Sequence, residues 1–140
     1  MIILAVDFGD ARTGLACCDR SELLASPVGV ISETNFNICI QKTAQAATAH
    51  QAEQIVVGYP KNMNGTIGER AEKCALFAEK LEELTGIKTV LWDERCTTVS
   101  AHRYLNQTNT RGKKRKAVVD AVAATIILES YLAFRKNTAI

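Results

Sequence analysis

The spacing of apolar and polar positions changes several times along the chain, and each change marks an element. Residues 2–6 (IILAV) form an unbroken apolar run that stops at Asp7, the pattern of a strand covered on both faces. A short turn from Phe8 to Gly14 follows, and Leu15 and Ala16 resume the apolar run. Strand, tight turn and antiparallel strand is the predicted arrangement. Residues 23–32 (LLASPVGVIS) predict a turn and a third strand with Pro27 near its start. Thr34 or Asn35 suits a helix cap. The helix it opens is expected to end near His50, with Ile38, Ala44, Ala47 and Ala49 on its apolar face. Residues 54–58 (QIVVG) predict another strand covered on both faces, and Tyr59 to Gly65 a loop rich in turn residues. The clearest amphipathic helix covers residues 69–85, where Ala71, Cys74, Phe77, Ala78, Leu81 and Leu84 recur at helical spacing and Gly86 stands at the C-cap. Residues 88–92 (KTVLW) predict a strand that ends in Asp93 and Glu94. Thr97 or Thr98 is expected to cap a short helix to Leu105, residues 106–116 (NQTNTRGKKRK) to form a polar basic loop, and a last helix to run from about Ala117 to about Arg135. This order predicts a mixed α/β fold, a single five-stranded sheet with helices on both faces, in one domain spanning residues 1–140.

Composition narrows the class. The 140 residues, 47% hydrophobic and 23% charged, suit a globular domain with its own core. No apolar run approaches the roughly 20 residues of a membrane span. The first apolar run has no basic region before it and ends at Asp7, unlike a signal peptide. The five cysteines show no C-x-x-C spacing, which predicts reduced thiols in a cytoplasmic protein, neither a disulfide framework nor a zinc site. Cys17 and Cys18, adjacent in a strand, should face opposite sides of the sheet.

Three acids are expected at related places. Asp7 ends the first strand, Glu94 (with Asp93 beside it) ends the last, and Asp120 shares a helix face with Ala117, Ala124, Ile127 and Tyr131. Buried acids need a partner or a metal. Converging on one cleft, Asp7, Glu94 and Asp120 would bind Mg²⁺ or Mn²⁺, cations that prefer oxygen ligands, and such ions cleave phosphodiesters. Plainer structural roles are open for two of them: Asp7 can simply start a turn, and Asp120 can pair with Lys116. His50 and His102 are expected to be solvated and uninvolved. The net charge of +2 says little about a polyanionic partner, but its distribution says more. Arg111, Lys113, Lys114, Arg115 and Lys116 directly precede the helix of Asp120, where they would neutralise phosphates or form a solvated loop. Arg12 and Arg95, each near a candidate acid, can contact a phosphate or pair with Asp10 or Asp93. Lys61 and Asn62 follow a strand end and suit contact with sugar or phosphate.

The ordered motifs Asp7-Phe8-Gly9 with Arg12 and Gly14, Val57-Gly58-Tyr59-Pro60 to Gly65, Asp93-Glu94-Arg95 with Thr97-Thr98, and Asp120 with Ala123-Ala124 cover essentially the whole chain and resemble the YqgF family, also called RuvX. The resemblance implies the RNase H-like fold and a nuclease of the bacterial cytoplasm. Its substrate would be precursor 16S rRNA at the 5′ end, with the pre-ribosomal particle as a partner, or a four-way DNA junction. Carried over by position, Asp7, Glu94 and Asp120 become the catalytic, metal-binding acids, with Asp93 a weaker candidate, and Lys116 matches a basic position. Ala121 stands where the family often has a small polar residue. RNase H-like nucleases often carry four acids; with three here, one resident ion fits as well as two. A junction resolvase needs two active sites and therefore a dimer. No dimer patch is obvious, so a monomer or weak homodimer is expected. A non-catalytic nucleic-acid-binding module is a competing class, disfavoured because carboxylates repel phosphates unless a metal intervenes. An actin-like ATPase lobe is another, disfavoured because 140 residues supply about one lobe.

Overall fold

The computed structural model describes residues 1–60, 67–93 and 112–138, with backbone alone for 112–120 and 138. Lys61, Asn62, Glu94, Arg95, Cys96, His102, Arg111 and the short helix expected from Thr97 or Thr98 to Leu105 lie outside the described residues. The elements in order are β1 (Ile3–Asp7), β2 (Arg12–Cys18), β3 (Ala25–Ser32), α1 (Phe36–Ala49), β4 (Gln54–Tyr59), α2 (Glu69–Thr85), β5 (Lys88–Asp93) and α3 (Gly112–Thr138).

The five strands form one sheet in the order β3-β2-β1-β4-β5. The first three are antiparallel, while β4 and β5 run parallel to β1. The expected mixed sheet is therefore present. Strands β1, β4 and β5 all end at one edge, here called the carboxyl edge. The register sets Asp7 opposite Gly14, Val6 beside Val57 and Tyr59 beside Asp93.

The apolar runs of β1 and β4 are explained by cover on both faces. Leu4, Val6, Leu15, Ile55 and Val57 pack with Cys39, Ile40 and Ala47 of α1 and with Cys74, Phe77, Ala78 and Leu81 of α2. Ile3, Ala5, Ala16 and Val56 pack with Ala124, Ile127, Leu128, Tyr131 and Leu132 of α3. Cys17 lies against the first cluster and Cys18 in the second, as strand alternation requires. Burial raises the pKa of both thiols, which keeps them protonated and unreactive.

Local signals account for the helix ends. Asn35 caps α1, its side chain accepting from the Ile38 amide at 3.0 Å. Gly86 closes α2 in the left-handed conformation, φ 71°, which glycine adopts without strain.

Three expectations need correction. The buried face of α1 is Cys39, Ile40, Thr43 and Ala47, whereas Ile38 and Ala49 are exposed. Thr43 can be interior because its hydroxyl donates to the Cys39 carbonyl at 2.8 Å, so a polar residue holds the centre of the stripe. Leu84 is 56% exposed; at 100° per residue it lies roughly 85° round α2 from the centre of the buried stripe. Finally, Lys113 to Lys116 belong to the first turns of α3 rather than to a loop. Lysine and arginine are good helix formers, and Gly112 stands at the helix start.

Helix α3 runs against the parallel strands. At its far end, Arg135 Nε donates to Glu22 Oε1 at 2.7 Å, beyond the opposite edge of the sheet, and Tyr131 Oη donates to Gln54 Oε1 at 2.9 Å at the start of β4. Trp92 of β5 closes the same layer, its Nε1 donating to Ser130 Oγ at 3.1 Å and its ring packing on Tyr131 and Phe134. The 27 residues of α3 span about 40 Å, against about 13 Å from Ile3 to Asp7 along β1. The first turns of α3 therefore overhang the carboxyl edge.

Candidate active site at the carboxyl edge of the sheet

Asp7 is the last residue of β1 and is half-buried. Alternation along the strand places it on the α3 face with Ile3 and Ala5. Its antiparallel neighbour is Gly14, so no side chain crosses from β2 at that position.

The chain turns sharply just beyond. A Cβ on Gly9 would collide with the Arg12 carbonyl oxygen, so glycine fits this close approach of backbone to backbone. Phe8 points the other way and is buried against Phe77, the ring centroids 4.5 Å apart, with the edge of Phe36 at 5.7 Å. The main chain at Asp7 is thus anchored by strand pairing before it and by an aromatic cluster after it.

Two cations of α2, neither singled out by sequence reasoning, tie down the same turn. Arg70 Nη2 donates to the Phe8 carbonyl at 2.9 Å, and Lys73 Nζ donates to Asp10 Oδ1 at 2.8 Å. Lys73 holds the Asp10 carboxyl below the usual carboxylate range, by its hydrogen bond first and its charge second. Asp10 therefore pairs with Lys73, not with Arg12 as one expectation had it. Arg12 opens β2 opposite Ser32. The only sequence signal for these ties is the three-residue spacing of Arg70 and Lys73 on one helix face, and nothing local says what they reach.

The remaining expected acids are placed in part. β5 ends at Asp93, directly before Glu94. Trp92 packs on the α3 layer, so alternation turns Asp93 toward the α2 side. Position 120 lies one helical turn before Ala124, on the stripe that continues through Ile127, Leu128 and Tyr131. It is about 22 Å up the helix from Arg135, at the height of the carboxyl edge. Lys113, Lys114, Arg115 and Lys116 precede it in the overhang. Among the described residues no group of three or more candidate metal ligands occurs; Glu94 and the Asp120 side chain lie outside them. His50 caps the end of α1 and is exposed, away from this edge.

Comparison with known proteins fits this geometry. A protein of Carboxydothermus hydrogenoformans, provisionally named pre-16S rRNA nuclease, is 41% identical over 98% of this chain and 99% of its own length. Thermus thermophilus RuvC in complex with a Holliday junction substrate superposes with a TM-score of 0.63 at 10% identity, covering 99% of this chain and 97% of that one. The fowlpox virus resolvase with Holliday junction DNA gives 0.62 at 11% identity, covering 96% and 98%. These two likenesses establish the RNase H-like fold. The model of the family described as "RuvX: Holliday junction resolvase" matches residues 1–134, and the chain therefore belongs to the RuvX family.

Proposed function

We propose that the chain is a single-domain, cytoplasmic, metal-dependent endonuclease that hydrolyses phosphodiester bonds in maturing the 5′ end of precursor 16S rRNA. The observation that supports this most is the meeting of three chain segments at one edge. Asp7 stands on the α3 face where β1 ends, β5 ends just before Glu94, and the stripe of α3 brings position 120 to the same height. Family membership and the names of the relatives point the same way.

The donor set is made of carboxylates, which fits Mg²⁺ or Mn²⁺. Asp7, Glu94 and Asp120 are the residues that would hold the ion. When bound, it would polarise a phosphodiester oxygen and make water more nucleophilic. The chain's own part is to fix the carboxylate of Asp7 on a buried strand end and to present cations to the polyanion. Arg12, Lys61, Asn62, Arg95 and Arg111 are the further candidates for contact with the nucleic-acid backbone.

The basic first turns of α3 supply a direct test of that contact. Replacing Lys113, Lys114 and Arg115 together with Ala should weaken nucleic-acid binding at every sequence and flatten its salt dependence by about three phosphate contacts at most. Affinity measured across a salt series checks this; an unchanged slope would make the run a solvated helix end.

A second substrate is favoured by the family's description and by the likeness to RuvC, namely a four-way DNA junction. Incubating the protein with Mg²⁺ or Mn²⁺ and either a labelled RNA carrying the precursor 5′ leader or a labelled junction separates the two. Cleavage of the RNA is the expected result. Paired symmetric cuts in the junction alone would reverse the assignment and require a dimer. Cleavage of neither would favour a non-catalytic binding module.

A further inference from the structure

Arg70 lies in the first turn of α2, on the side of the sheet opposite α3. Its bond to the Phe8 carbonyl is its one hydrogen bond among the described residues, and the residue is exposed. Among the described residues the other N–H donors of the guanidinium have no acceptor, and the carbonyl it holds belongs to the residue directly after Asp7. The nearby acid of the turn, Asp10, is held chiefly by Lys73, with the Arg70 charge a smaller contribution. Asp10 accepts from Lys73 at 2.8 Å, and Lys73 is itself held over the rings of Phe8 and Phe36, at 5.7 and 5.8 Å. Glu69 and Glu72, in the same helical turn, face the positive end of the helix dipole. A guanidinium already anchored at one corner loses little freedom on taking another acceptor, and its planar fork matches two oxygens of a phosphate.

We propose that Arg70 binds the nucleic-acid phosphate next to the bond on which Asp7 acts, while the same guanidinium holds the main chain that follows Asp7. This rests on the nuclease assignment above and extends it. The substrate backbone crosses the sheet edge from the basic overhang of α3 to the first turn of α2, with Asp7 between them. Phosphate occupancy on the α2 side and the position of the acid on the α3 side are then linked through a single side chain.

Fluorescence anisotropy tests this with a labelled single-stranded RNA and a labelled four-way DNA junction. Ca²⁺ replaces Mg²⁺, because it neutralises carboxylates without the strict octahedral geometry of Mg²⁺. Arg70→Ala and Arg70→Gln should each weaken binding roughly 5- to 10-fold at low salt and reduce the salt slope by about one contact. Arg70→Lys, which retains the charge, should keep the wild-type slope. Arg70 is exposed, so Arg70→Gln, which gives up one hydrogen bond, should lower Tm by only a few °C, and a purely structural role would leave the salt slope unchanged. Unchanged slopes in both charge-removing variants, with the wild type bound, overturn the role of Arg70 and leave the nuclease assignment standing. A wild type that binds neither probe removes the nuclease assignment, and the role of Arg70 with it.

Discussion

Asp7→Asn should reduce cleavage by at least about 10³-fold while the protein stays folded. The amide has nearly the volume of the carboxylate, and the strand pairing opposite Gly14 is made by backbone. Stability should therefore change by less than about 1 kcal/mol. The negative charge is what is lost, and with it, in the role proposed for Asp7, a hard oxygen ligand whose contribution to a metal-assisted displacement is several kcal/mol; about 4 kcal/mol corresponds to the 10³-fold loss. Turnover on the preferred substrate and a thermal melt, run on the same preparation, check both halves. Wild-type turnover would take Asp7 out of the chemistry. A large loss of turnover accompanied by a fall in Tm of about 10 °C would make it a folding effect.

Phe77→Ala should have the largest effect on stability. Phe77 is fully buried and lies where both helices of its layer meet β1, stacked on Phe8 at 4.5 Å and edge-on to Phe36 at 6.1 Å. Removing such a ring costs about 3–5 kcal/mol, for the lost transfer energy and for the cavity left behind. Total stabilities are about 5–15 kcal/mol, and for a chain of this length the melting point should drop by roughly 10–15 °C. The ring also backs Phe8, one residue from Asp7. Activity at low temperature should therefore fall in the variant while it is still folded, by loosening the turn. Denaturant unfolding and low-temperature turnover measure the two effects separately. A melt unchanged within about 2 °C would show that the layer collapses without cost.

Much of this was legible in the sequence because the strongest signals are local. The apolar runs of β1 and β4 read as strands covered on both faces, and the stop at Asp7 marked the sheet edge. Asn35 and Gly86 announced helix ends through chemistry that does not depend on the rest of the fold. The errors came where tertiary contact decides. Thr43 hides its hydroxyl on its own backbone, so the α1 stripe was placed too far toward Ile38 and Ala49. The run from Lys113 to Lys116 looks like a loop by polarity, but its residues are good helix formers and the helix extends through them. The contacts of Arg70 and Lys73 with the turn after β1 join residues more than 60 positions apart, and no periodicity encodes them. Of the three candidate acids, Asp7 ends β1 and position 120 continues the helical stripe, where the sequence pattern puts them, while Glu94 lies outside the described residues.

The placement of α3 also bears on the order in which a growing chain can become an enzyme. Ile3, Ala5, Ala16 and Val56 are covered by residues 124–132, which a ribosome delivers after every strand of the sheet. Until then the strands, α1 and α2 can close one side of the core, while the other side remains a bare apolar face, the kind of surface on which incomplete chains stick to one another. Contacts between sequence-distant elements also make folding slow. The helix that seals this face is the one that carries the basic turns and Asp120. With Asp120 in the role proposed for it, the covered core and the completed site arrive in the same late step, and a chain stalled before α3 emerges would be both sticky and inert.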